Sequence, residues 1–134
     1  MHTLHKTLAS LDGVYIDRFP ARADMDNVRL AYLTHSHSDH ASIPVSWHSL
    51  RLIRASPATI LYCVVYYNTP RDTFRLLEAG VDLTVPSIHS KGSISVYIAG
   101  TKAAGNLLWL GDGRLPYSQR LRLAPFLQSA ETIV

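Results

Sequence analysis

A single cysteine in 134 residues excludes a disulfide scaffold, because Cys63 has no intramolecular partner. Its neighbours Leu61, Tyr62, Val64 and Val65 are apolar, so the thiol is expected to be buried and inert rather than nucleophilic. No apolar run approaches the 18 or so residues of a membrane span, and the start, Met1-His2-Thr3-Leu4-His5-Lys6, lacks the apolar core of a signal peptide. An intracellular protein is the default expectation. Charge of one sign is also scarce: 13 Lys+Arg against 10 Asp+Glu leaves +3, spread along the chain without a dense patch. That balance is compatible with a polyanionic partner but does not by itself point to nucleic acid. There are no repeats and no low-complexity linkers. A charged fraction of 17% beside 47% hydrophobic residues excludes a disordered chain, and this length buries enough surface for one domain with a core of its own.

The apolar segments suggest an α/β protein. Residues 13–16 read as a short strand ending at Asp17, 20–27 as a loop, 28–34 as a strand and 49–55 as another. Ser56-Pro57 is a helix start, with Ser as N-cap and Pro at the first helical position, and that helix is expected to run from Thr59 to about Tyr67. Thr69-Pro70 repeats the signal, and Gly80 is placed to stop a second helix after Leu76, Leu77 and Ala79. Residues 81–85, 94–98 and 107–110 are strand-like, with a hairpin loop over 100–106 between the last two.

Chemistry is concentrated in His35-Ser36-His37-Ser38-Asp39-His40, directly after a strand. Imidazole and carboxylate suit zinc and similar borderline ions, and four such groups within six residues can surround one or two ions from a single loop. In an extended segment alternate residues point the same way, so His35 and His37 can share one ion while Asp39 and His40 reach a second. Two further candidates sit at later strand ends: His89, within Pro86-Ser87-Ile88-His89-Ser90-Lys91-Gly92-Ser93, and Asp112, after Leu107-Leu108-Trp109-Leu110-Gly111.

The run Leu33-Thr34-His35-Ser36-His37-Ser38-Asp39-His40 resembles the signature of the metallo-β-lactamase fold. With Tyr15-Ile16-Asp17-Arg18-Phe19, Ala55-Ser56-Pro57-Ala58-Thr59 and Trp109-Leu110-Gly111-Asp112-Gly113-Arg114-Leu115, the chain is similar from about Gly13 to Pro125 to the DNA cross-link-repair nucleases of that fold, the Artemis and Apollo group. The resemblance implies a metallo-β-lactamase-like αββα sandwich of which residues 1–134 form a partial domain, the amino-terminal half, without the β-CASP region. A first metal, zinc by preference and magnesium or manganese by substitution, would be held by His35, His37, His89 and Asp112, and a second by Asp39, His40 and the same Asp112. Asp17 would orient the site from behind its ligands, and Arg18, Lys91 and Arg114 would contact phosphates.

The implied activity is phosphodiester hydrolysis in DNA repair by a metal-bound hydroxide that Asp39 orients, acting in the nucleus on single-stranded ends or junctions, exonucleolytically or endonucleolytically. Three features depart from the family, the first being Gly113, where a bulky apolar residue usually follows the bridging aspartate. A Ser-Ile-His-Ser-Lys-Gly-Ser run replaces the usual small-Gly-His-Cys-Pro-Gly-Ser/Ala, and no histidine after His89 can complete the second metal site. A half-sandwich is also expected to leave an apolar sheet face and an edge uncovered, hence poorly soluble or dependent on a protein partner. Two alternatives stand beside the nuclease. One is a small-molecule hydrolase of the same fold, which does not account for Ile16-Asp17-Arg18-Phe19 or Gly111-Asp112-Gly113-Arg114-Leu115; the other is a catalytically dead metal-binding or interaction module.

Overall fold

A computed structural model describes residues 2–36, 43–87, 91–111 and 117–134, with the side chains of residues 2 and 117–120 left out of the account. Helix α1 (His2–Thr7) runs on through a wider turn, Leu8–Asp12, and stops at Gly13. Gly13 has φ +65°, and a Cβ there would stand 2.2 Å from the Asn27 carbonyl oxygen, so the chain can turn into the first strand only with glycine at this point.

Strands β1 (Val14–Ile16), β2 (Leu30–Tyr32), β3 (Ile53–Ala55) and β4 (Phe74–Leu76) form an all-parallel sheet in that order. Strands β5 (Thr84–Pro86), β6 (Ile94–Thr101), β7 (Gly105–Trp109) and β8 (Thr132–Ile133) form a second sheet, antiparallel except for the parallel β7–β8 pair. Parallel strands require crossovers, and α2 (Pro57–Tyr66) supplies the one between β3 and β4. The sequence signal for its start holds in detail: Ser56 Oγ accepts from the Thr59 amide at 3.3 Å, and Pro57 occupies the first turn.

Alternation along the strands sorts the core into layers. Val14, Ile16 and Tyr32 of the first sheet meet Ile94, Val96, Ile98, Leu107 and Trp109 of the second, filling the space between the sheets. The opposite face of the first sheet, with Ala31, Ile53 and Phe74, packs on Ile60 and Cys63 of α2 and on Trp47. On the outer face of the second sheet, Val85 and Leu108 are covered by Leu123 of helix α3 (Tyr117–Ser129), and Tyr97 stacks on Phe126 at 4.9 Å. The described residues therefore form a mixed α/β protein with helix, sheet, sheet and helix in succession.

Three expectations are corrected. The second helix after Thr69-Pro70 does not form: Arg71–Thr73 is a single 3₁₀ turn, and β4 follows at once. Ladder pairing with β3 and burial of Phe74 against Trp47 and α2 outweigh the local helix signal, and Gly80, at φ +81°, serves a turn instead. The strand expected over 81–85 is displaced to Thr84–Pro86, because Val81 and Asp82 close a turn onto the Glu78 carbonyl. The expected bare sheet face is covered, since α3 packs on the outer face of the second sheet, whereas among the described residues edge strands remain, β1 and β4 in the first sheet and β5 and β8 in the second. Among the described residues no helix is long and apolar enough to cross a membrane.

Candidate metal centre

The parallel strands β1 and β2 end side by side, and their ends carry Asp17 and the Thr34-His35 pair. Asp17 follows β1 at φ +60°, a left-handed conformation that aspartate tolerates better than most residues. Its amide donates to the Tyr32 carbonyl at 2.9 Å, which holds the bend against β2. The carboxylate is thereby aimed at Thr34: Oδ1 accepts from the Thr34 amide at 2.7 Å, and Oδ2 from the Thr34 hydroxyl at 2.6 Å.

The same hydroxyl oxygen lies 2.8 Å from Nδ1 of His35. A threonine hydroxyl has one proton, and a carboxylate only accepts, so the Thr34 proton goes to Asp17 and the bond from the ring must run from His35 Nδ1–H to Thr34 Oγ1. With Nδ1 protonated, the lone pair of the neutral imidazole is on Nε2. His35 is buried, at 1% exposure, and Asp17 nearly so, at 8%. The relay Asp17–Thr34–His35 thus fixes both the ring and its tautomer in the form a metal ion requires of a histidine ligand.

Two contacts draw other strand ends to this point, and a third seats the 91–92 turn on the start of α2. The Ile94 amide donates to the Thr34 carbonyl at 2.9 Å, joining the two sheets where β2 ends and β6 begins. Gly111, at φ +76°, lies so close that a Cβ would be 3.6 Å from Thr34 Oγ1. The Gly92 carbonyl accepts from Ser56 Oγ at 2.7 Å, and a Cβ on Gly92, at φ +88°, would stand 2.5 Å from that same hydroxyl. Glycine is therefore required for the turn over 91–92 to seat on the start of α2. Tyr67, at the end of α2, donates its hydroxyl to the Ser36 carbonyl at 3.0 Å. Ser36, Gly92 and Gly111 are the described residues from which the chain runs toward His37, His89 and Asp112.

Of the expected site residues, Asp17, Arg18, His35 and Lys91 are described, and the structure links Asp17 to His35. Arg18 lines a cavity between α1 and the 18–27 loop, and Lys91 lines another with Ser36, Tyr62 and Tyr66 of α2. His37, Asp39, His40, His89, Asp112 and Arg114 lie outside the described residues. Among the described residues no three His, Cys, Asp or Glu side chains group as a metal site.

The chain matches no protein-family model and no curated protein.

Thr34 is a functional residue that residue type and spacing do not single out, although it stands next to His35 and is the residue through which Asp17 acts. Its signal was present: a hydroxyl side chain between a strand and a histidine-rich loop, with an aspartate at the preceding strand end. Cys63 is as expected, fully buried on the face of α2 that packs on the first sheet, and burial pushes its thiol up to about 11.

Proposed function

We propose that the protein is a metal-dependent phosphodiester hydrolase of the metallo-β-lactamase type, a DNA nuclease of the cross-link-repair group. The observation that carries this reading is the Asp17–Thr34–His35 relay, which gives the first histidine of the His-x-His-x-Asp-His run a fixed orientation and the ligand tautomer. The layered order of helix, sheet, sheet and helix agrees with an αββα sandwich, and the approach of Ile94 and Gly111 to Thr34 supports ligands arriving from more than one strand end.

The donor set fits zinc: imidazole and carboxylate groups, with one imidazole held by an outer hydrogen bond as ligating histidines are. His35, His37, His89 and Asp112 would hold one ion, and Asp39, His40 and Asp112 a second. The bound metal would supply charge neutralisation at a phosphoryl oxygen and a nucleophile available near neutral pH. The rest falls to the chain itself. Asp17 and Thr34 keep the His35 ring from turning, and Asp39 orients the attacking oxygen and takes its proton. Arg18, Lys91 and Arg114 attract the phosphate backbone. The role in nuclear DNA repair, and a protein partner alongside the DNA substrate, belong to the same reading.

The test is metal stoichiometry by native mass spectrometry on protein purified without chelator, beside the His35→Ala, His37→Ala and Asp112→Ala variants. One or two zinc ions in the wild type, lost in each variant together with hydrolysis of a labelled single strand, is the expected result. A folded wild type that holds no ion overturns the reading and leaves an interaction module. Cleavage of a chromogenic ester but not of the strand moves it to a small-molecule hydrolase.

A further inference from the structure

We propose that the cavity between α1 and the 18–27 loop is a strand-holding groove that seats one nucleotide of a nucleic acid beside the candidate metal centre. Lys6, Arg18 and Arg22 would take the phosphate, and Tyr15 and His5 the base. The proposal rests on the nuclease reading for the identity of the strand, but its residues are other than the metal ligands.

The cavity measures about 570 Å³, within the range of small-molecule sites. Three cationic side chains, Lys6 from α1 and Arg18 and Arg22 from the loop, line it with a single carboxylate, Asp24. That carboxylate accepts from the Asn27 side-chain amide but keeps its charge, so the three cations outnumber it in the cavity. Among the described residues neither Lys6 nor Arg22 is in an ion pair. An open cavity with this excess of positive charge attracts an anion, and phosphate esters suit arginine forks in particular.

The walls favour a flat ring next to that anion. Tyr15 is half-buried and held edge-on against Trp47, with ring centres 5.2 Å apart, and His5 sits edge-on against Trp109 at 4.9 Å. Aromatic side chains fixed in this way offer stacking surface at little entropic cost, and every base presents a face to them. Position supports the same occupant. Arg18 directly follows Asp17, whose carboxylate clamps Thr34, and Trp109 lies two residues before Gly111, which packs against Thr34. A strand held here would run toward the end of β2 that carries His35.

The experiment is fluorescence anisotropy of hexathymidylate labelled with fluorescein, measured in chelator so that binding is read without hydrolysis. The proteins compared are the wild type, Lys6→Gln/Arg22→Gln, and Arg71→Gln/Arg75→Gln. The last removes the same charge from a cavity at the β4 edge of the first sheet, lined by Arg51, Arg71 and Arg75. The groove variant is expected to bind at least tenfold more weakly and to lower the salt slope by about 0.7, the release expected for one phosphate contact on a single strand, with the β4 variant within twofold of wild type.

Equal weakening in both variants would reduce the effect to general electrostatics and overturn the proposal, as would no binding by the wild type. Displacement by thymidine monophosphate as effective, nucleotide for nucleotide, as by hexathymidylate would overturn a strand in favour of a free nucleotide. If no metal binds yet the anisotropy result holds, the nuclease reading falls and the groove stands.

Discussion

Asp17 and Asp82 are both buried carboxylates, 8% and 7% exposed, both fastened to residues at or just beyond β2, yet they do different things. Asp82 accepts from the Tyr32 hydroxyl at 2.7 Å, from Arg54 Nη1 at 2.9 Å and from the Glu78 amide at 2.8 Å. Those bonds tie β2, β3 and the turn after β4 into one unit, and desolvation by burial, followed by the Asp82 carboxylate, pushes the Tyr32 hydroxyl well above its ordinary range. Asp17 accepts from the Thr34 amide and hydroxyl, and through that hydroxyl it reaches a histidine at the mouth of a loop. A buried carboxylate whose bonds end on an arginine and the backbone is a brace. One whose bonds pass through a hydroxyl to an imidazole sets that imidazole's proton, and belongs to a site.

The largest effect expected from this contrast is at the brace. Asp82→Ala leaves Arg54, whose side chain is 17% exposed, without its carboxylate, and the turn over 78–82 without its anchor. A loss of about 3 kcal/mol or more in denaturant unfolding is expected, since removing one partner of a buried pair strands the other. Metal stoichiometry of the folded fraction should not change. A loss below about 1 kcal/mol, typical of exposed pairs, would mean that solvent already carries the Arg54 charge and that the brace is nominal. Metal loss from folded Asp82→Ala protein would erase the distinction between the two aspartates.

Thr34→Val isolates the relay. The substitution keeps the branched shape but removes the hydroxyl that serves Asp17 and His35 together. A stability cost of about 2 kcal/mol is expected from the two buried groups left short of a bond. Zinc affinity should fall on the order of 10–100-fold, the usual consequence of losing an outer-shell hydrogen bond. Thr34→Ser restores the hydroxyl and should recover both. Full zinc affinity in Thr34→Val, measured by competition with a chelating dye, would show that the tautomer of His35 is set by something else.

Both aspartates illustrate what a sequence discloses. The strand ends at Asp17 and before His35 were legible, because short apolar runs stop there at polar residues, and the Ser56-Pro57 helix start was legible because capping is local. The histidine run was legible as metal chemistry from residue types and spacing alone. What was not legible depends on partners distant in sequence. The role of Asp82 rests on Arg54, 28 residues earlier, and on Tyr32, 50 earlier. Strand β4 exists because β3 is there to pair with it, against a helix signal of its own. Helix α3 was missed because its leucines make no single stripe: Leu123 is buried, but Leu121 and Leu127 are 65% and 43% exposed. At Gly92 the approach of Ser56 and Ala58 excludes a side chain, which no local pattern discloses.

The smallest effect concerns Cys63, which carries the comparison to a third buried titratable group. Nothing charged offsets its burial: desolvation alone raises the thiol, to about 11 from an ordinary value of 9.0. The folded state therefore holds its proton more tightly than the unfolded state does. Below about pH 9 both states are protonated and the group adds no pH dependence. Between about pH 9 and 11 the unfolded chain ionises first, so stability falls as pH rises. By pH 10 the loss from this group should be about 1 kcal/mol. Tyr32, raised as well, contributes in the same direction at higher pH, so the effect is read as the difference in pH slope between wild type and Cys63→Ala. Equal slopes would mean that the thiolate is stabilised in the fold, and then Cys63, like Asp17 and unlike a packing residue, would have a partner that gives it chemistry. Slow alkylation of the native protein at pH 8 with rapid alkylation in denaturant would give the opposite answer, a thiol kept neutral because water cannot reach it.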